Sequence, residues 1–208
     1  MDHLFAVAQT GTADISLLIY ARWIERLCWI AFCLIWLISW FSANRPVKRS
    51  QSVASRALQI PLYVTGVVLI FLSKLIPIRV LDFRLLPRSD PLTAVAALLT
   101  VVGIAIAISA RTTLGSNWSG RVTLKEGHEL IESGPYQYAR HPIYTGLLLA
   151  LLGTALLRCS PRSLLGVVVF LVLFIWKIRI EERFLTSEFG AKYEDYRRRV
   201  KALIPFVV

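Results

Sequence analysis

Residues 91–110 read Pro-Leu-Thr-Ala-Val-Ala-Ala-Leu-Leu-Thr-Val-Val-Gly-Ile-Ala-Ile-Ala-Ile-Ser-Ala, twenty positions without a charge. A helix needs about 20 mostly apolar residues to cross the hydrocarbon core of a bilayer. This stretch therefore reads as a spanning helix. Working outward, residues 27–43, lengthened at their start by Trp23 and Ile24, form a second span. Residues 57–73 form a third, with Lys74 able to snorkel and Pro77 ending the helix. Residues 142–157 and 163–176 are shorter than a full span, and Arg158-Cys159-Ser160-Pro161-Arg162 lies between them as a turn. This pair reads as a tight helical hairpin. The expected fold is all-α: a membrane bundle of about five transmembrane helices with a C-terminal hairpin and an amphipathic tail.

The composition agrees. Of 208 residues, 56% are apolar and 18% charged, and mean hydropathy is +0.60. Soluble domains carry about a quarter charged residues, so a soluble core could not hide this much apolar surface, and disorder is excluded. The net charge of +11 would suggest nucleic acid in a soluble protein. Here the basic residues crowd beside hydrophobic segments, where they face lipid headgroups, so the partner is the bilayer and no nucleic acid is expected. Cys28, Cys33 and Cys159 form no disulfide framework and no metal-ligand spacing. No removable signal peptide is read at the N-terminus, and the first span can direct insertion.

Basic residues also orient the chain. Sixteen of the 24 fall on the side carrying the first loop, the third loop and the tail, and eight on the other. The positive-inside rule then places the N-terminus outside and the C-terminus in the cytoplasm. In a bacterium the membrane would be the plasma membrane, in a eukaryote the endoplasmic reticulum.

Polar chemistry divides the chain into residues 1–110, three membrane helices, and 111–208, a catalytic half. The second part holds two of the three histidines, most of the tyrosines and seven of the eight glutamates. Its central string is Gly134-Pro135-Tyr136-Gln137-Tyr138-Ala139-Arg140-His141-Pro142-Ile143-Tyr144-Thr145-Gly146. Gly134-Pro135 signals a turn, and Pro142 suits the first turn of a helix. Arg140 and His141 thus stand at the mouth of the fourth helix. Because the fifth helix returns, its end at Lys177-Ile178-Arg179-Ile180-Glu181-Glu182 must lie on the same side. Beyond it, Leu185, Phe189, Tyr193, Tyr196 and Val200 share one helical stripe, which Gly190 can interrupt. That stripe can lie on the membrane or fold over the site, and Ile204-Pro205-Phe206 can dock back on the bundle. The plain alternatives are helix anchoring by Arg140 and His141, i,i+3 and i,i+4 ion pairs for the glutamates, and an interfacial aromatic belt for the tyrosines. Ionisable groups gathered at a membrane face favour a functional site.

With Arg140-His141-Pro142, Tyr144 and Gly146, then Glu181-Glu182, Phe189-Gly190, Tyr193, Tyr196 and Ile204-Pro205, residues 112–206 resemble the isoprenylcysteine carboxyl methyltransferase family, within a wider group that includes phospholipid methyltransferases. The chain departs from the family in Lys177, where Arg is frequent, and in Lys201, where Pro is frequent. The resemblance implies S-adenosyl-L-methionine as cofactor and methyl transfer to a lipid or lipidated acceptor, a small molecule or a protein, most naturally the carboxylate of an isoprenylcysteine. It assigns cofactor binding to Tyr136, Arg140, His141, Pro142, Tyr144, Glu181 and Glu182, and catalytic roles to Arg179, Glu182 and His141, with no metal. No Gly-x-Gly-x-x-Gly follows a strand-like segment, so a Rossmann site is not expected. Two other readings are an NADPH-dependent sterol-type reductase, disfavoured by Ile143 and Leu147, and a non-catalytic lipid-binding protein.

Overall fold

The computed structural model describes residues 2–41, 47–50, 52–73, 75–115, 118, 123–125 and 129–204; of residues 2–15, 47–49 and 123–125 the backbone alone is described. Its helices are α1 (Asp2–Phe41), α2 (Val53–Phe71), α3 (Asp90–Leu114), α4 (Pro142–Arg158), α5 (Pro161–Phe189) and α6 (Ala191–Arg199). Among the described residues four stretches are long and apolar enough to cross a membrane: Ser16–Phe41 within α1, and all of α2, α3 and α5. The 17-residue α4 is a shorter apolar helix. The all-α expectation therefore stands, with one addition. A small antiparallel ribbon joins β1 (Val47–Ser50) to β2 (Thr123–Lys125), pairing Ser50 with Thr123.

Helix boundaries follow local chemistry. Ser52 caps α2 by accepting from the Ser55 amide at 3.2 Å. Prolines open α3, α4 and α5 at positions where a missing N–H costs nothing. Between α4 and α5, Cys159 turns the chain in the left-handed region at φ 50°, and Ser160 with Ser163 forms a capping box for α5. The expected hairpin is present, but its second arm is longer than the hydropathy implies. α5 continues thirteen residues past Trp176 to Phe189, because a charge in the sequence ends an apolar run without ending a helix. The break comes at Gly190, whose φ of 51° favours glycine.

Small residues set the packing, as is usual where lipid supplies no hydrophobic drive between helices. α3 and α4 meet backbone to backbone: a Cβ on Gly146 would lie 2.5 Å from the Gly103 oxygen, and one on Gly153 2.5 Å from the Ala96 oxygen. α2 and α5 meet where Gly66 receives Phe170 and Gly166 receives Ile70. Ile70, Leu151, Phe170, Leu173 and Phe174 form the central core.

The end of the bundle away from the polar string is clamped by arginines that the sequence offered only as orientation signals. Arg162, with no exposed surface, donates to the Val68 oxygen at 3.0 Å and to the Ile76 oxygen, and pairs with Asp82 at 3.3 Å. Arg158 pairs with the buried Glu25 of α1 at 2.7 Å. Trp29 of α1 donates to the Thr154 hydroxyl at 2.9 Å. These contacts fix the hairpin turn against the segment between α2 and α3 and against α1.

Candidate active site

Pro142 starts α4 directly after His141, so both Arg140 and His141 project from its mouth toward the end of α5. Arg140 Nε and Nη2 donate to one Glu182 oxygen at 3.0 and 2.6 Å. Its Nη1 donates to the Arg197 oxygen at 3.2 Å and to the Val200 oxygen. Arg140 thus ties three segments: the loop, α5 and the tail. His141 is buried between two carboxylates, with Nδ1 3.4 Å from Glu181 and Nε2 3.4 Å from Glu182. The Tyr144 hydroxyl, one turn into α4, donates to Glu181 at 2.5 Å. The two strings, about forty residues apart in sequence, form one network.

The tail closes over it. Residue 139 bridges in parallel to Lys201, and the Arg140 and His141 amides donate to the Lys201 and Ala202 oxygens at 2.8 and 3.0 Å. Thr145 donates to the Leu203 oxygen at 2.7 Å, and the Tyr196 hydroxyl to the Tyr136 oxygen at 2.6 Å. Tyr193, Tyr196 and Val200 are buried together, with Leu185 and Phe189 against them, so the expected stripe folds inward. The docking segment differs from the expectation: Leu203 is buried while Ile204 is exposed, and Pro205 and Phe206 lie outside the described residues.

Burial opposes a charge on His141, but its hydrogen bonds and proximity to Glu181 and Glu182 outweigh this and raise its pKa above the ordinary imidazole value. Burial, then the neighbouring Glu181 charge, raises the Tyr136 phenol; burial and Glu182 do the same for Tyr193. These phenols are neutral donors at physiological pH.

The network borders a cavity of about 670 Å³, within the range of small-molecule sites. Tyr136, Arg140, His141, Tyr144, Lys177, Glu181, Tyr193 and Tyr196 line one part. Trp29, Phe32, Cys33, Trp36 and Trp40 of α1, and Tyr63, Val67 and Phe71 of α2, line another part, with Phe170 and Phe174 of α5 among the remaining wall residues. Residues before 110 therefore build much of the wall, although the charged groups come from after it. Of the residues singled out from sequence, Tyr136, Arg140, His141, Tyr144, Glu181 and Glu182 converge. Pro142 is buried and acts by starting α4. Arg179 does not join them: it is exposed on α5 and does not line the cavity, because two residues past Lys177 the helix has turned by about 200°. Lys177 faces inward instead. Tyr63 was missed; a tyrosine in the middle of an otherwise apolar span was its only signal. Among the described residues no cluster of metal-ligating side chains occurs.

Fold and site together define a multi-span helical membrane protein with a charged pocket built from helix ends, continuous with an aromatic chamber. Residues 95–187 match the model of the isoprenylcysteine carboxyl methyltransferase (ICMT) family. It is 34% identical over 122 residues to the protein-S-isoprenylcysteine O-methyltransferase of Saccharomyces cerevisiae, covering 55% of this chain and 49% of that one. It is 35% identical over 123 residues to the mouse protein of the same description, covering 56% and 42%. The chain thus spans about half the length of these curated relatives. A solved structure of the eukaryotic intramembrane Ras methyltransferase ICMT shares the fold, with a TM-score of 0.53 and 24% identity, over 76% of this chain and 55% of that one. The family match begins inside α3, so α1 and α2, with Tyr63 and the tryptophans of α1, lie outside it.

Proposed function

We propose that this chain is an S-adenosyl-L-methionine-dependent methyltransferase whose acceptor is a lipophilic carboxylate of the isoprenylcysteine type, on a small molecule or a protein. One observation carries the reading: a single cavity joins the Arg140–His141–Tyr144–Glu181–Glu182 network to an aromatic chamber between membrane helices. A two-part ligand set fits this shape, a polar donor at the charged end and a greasy acceptor in the chamber.

The donor set suits the cofactor. Glu181 faces the cavity and can hold an ammonium, the buried Tyr193 lines the same polar end, and aromatic faces favour a cation. When bound, S-adenosyl-L-methionine supplies a methyl group on a sulfonium, which an acceptor oxygen takes in line as the S–C bond breaks, and a carboxylate has no proton to lose in doing so. The protein's work is then positioning and exclusion of water. Arg140 and His141 fix the glutamates, Tyr144 orients Glu181, and Tyr193 and Tyr196 cover the polar end. Lys177 supplies a positive charge at the cavity wall for the acceptor's carboxylate.

The chain is an integral membrane protein with multiple spans. We place its N-terminus outside and its C-terminus in the cytoplasm on the excess of basic residues at the polar end. Purified protein incubated with tritiated S-adenosyl-L-methionine and an N-acetyl-S-prenylcysteine tests the reading. Methyl esters release volatile counts in alkali. Alkali-labile counts that depend on Glu181 are expected; calorimetric binding of NADPH in place of S-adenosyl-L-methionine would overturn the reading.

A further inference from the structure

Lys177 emerges from α5 into the cavity, where its ammonium donates to the Tyr63 hydroxyl at 3.1 Å. The same nitrogen lies 5.7 Å from the Tyr63 ring centroid and 5.4 Å from that of Tyr144. An ammonium has three N–H donors; among the described residues Lys177 has no ion pair within 4 Å, its charge reaching Glu181 one turn along α5 only at longer range, so donors remain for a ligand. The other cations on this wall are committed. Arg140 is held by Glu182 and two tail carbonyls, and His141 lies between two carboxylates.

The Tyr63 oxygen accepts a hydrogen bond from the Lys177 ammonium, which leaves the phenol's own O–H available to donate. The phenol and the ammonium therefore present two donors about one hydrogen bond apart, facing the same space. Two oxygens of one carboxylate match this arrangement. It reproduces with two residues the fork that a guanidinium offers alone. The Tyr63 ring is itself held, edge-on to Phe170 with centroids 6.3 Å apart, so the hydroxyl is aimed by the α2–α5 packing.

We infer that Tyr63 and Lys177 form a two-donor clamp that selects an acceptor with a carboxylate head over a neutral one, making α2 a specificity element of the site. This rests on the proposed methyl transfer only for the acceptor's identity.

The test is binding, read through quenching of the cavity tryptophans in full-length protein in detergent. The probes are N-acetyl-S-farnesylcysteine and its carboxamide, whose tails are identical. Tyr63→Phe keeps the ring and removes the hydroxyl; it is expected to reduce the carboxylate-over-carboxamide preference by about tenfold, as for loss of one hydrogen bond to a charged group. Lys177→Met is expected to abolish the preference. Lys177→Arg, introduced into Tyr63→Phe, is expected to restore it, because a guanidinium carries both donors. Wild-type preference in folded Tyr63→Phe or Lys177→Met, or no restoration by Lys177→Arg, would overturn the clamp. Failure of the wild type to bind S-adenosyl-L-methionine would sink the methyltransferase reading, while a carboxylate preference that falls with Tyr63→Phe would still support the clamp.

Discussion

Replacing Arg140 by methionine removes a guanidinium that makes two bonds to Glu182 and two to carbonyls of the tail. The side chain is 8% exposed and that of Glu182 16%, so the loss leaves a largely buried carboxylate without its main partner. Removing one member of a buried pair costs about 3–5 kcal/mol. The cost falls on the contact between the 139–141 segment and residues 196–203, which Arg140 bridges, more than on the α3–α4 interface. Local opening of the tail should rise by at least about a hundredfold, since each 1.4 kcal/mol is a factor of ten. Hydrogen–deuterium exchange of peptides covering residues 193–204 reads this directly, with peptides from α3 as an internal reference. The expected result is loss of tail protection with α3 unchanged. Arg140→Lys should fall between, because one ammonium cannot reach Glu182 and both carbonyls. Wild-type exchange at the tail in Arg140→Met would refute the view that this residue latches the site closed.

Three further outcomes follow from other contacts. Gly146→Leu should lower the melting temperature in detergent, with destabilisation of at least about 1–3 kcal/mol, because even a Cβ would meet the Gly103 oxygen at 2.5 Å; a thermal shift within error would contradict the close approach. His141 has a raised folded pKa, so its stabilising contact with the glutamates is fully present below its unfolded value of about 6.5 and is lost as pH rises through the folded value. The melting-temperature gap between wild type and His141→Asn should therefore shrink as pH is raised above neutrality, and a gap that widens would reverse the assignment. Glu25→Gln should weaken the tie between α1 and the hairpin turn, since it removes the charge facing Arg158 at 2.7 Å; the expected sign is faster reaction of a maleimide with Cys33 in the cavity wall, and an unchanged rate would argue that α1 is held by other contacts.

Much of this fold was legible because its determinants are local. The uncharged run at residues 91–110, and prolines 142 and 161 at the first positions of their helices, mark elements without help from distant residues. The meeting of the Arg140 and Glu182 strings was legible for a topological reason: a hairpin brings its free ends together whatever its packing. What was hidden depends on rotation and on distant partners. Arg179 and Lys177 are both basic and two residues apart, and only helix phase separates an exposed group from one in the cavity. Arg158 and Arg162 read as surface charges, yet their partners Glu25, Val68, Ile76 and Asp82 come from segments 80–133 residues away in sequence, which no local pattern reveals. Tyr63 was hidden likewise, because its importance lies in the lysine that α2–α5 packing sets against it.

The central claim is that the mouth of α4 and the end of α5 make one donor site. A double-mutant cycle on Tyr144→Phe and Glu181→Gln, measured by calorimetry with S-adenosyl-L-methionine, tests it most directly, because these side chains meet at 2.5 Å. The account predicts that each change weakens binding and that the two together weaken it by less than their sum, with a coupling of about 1 kcal/mol or more. Losses that simply add, or affinity unchanged in both folded variants, would contradict it.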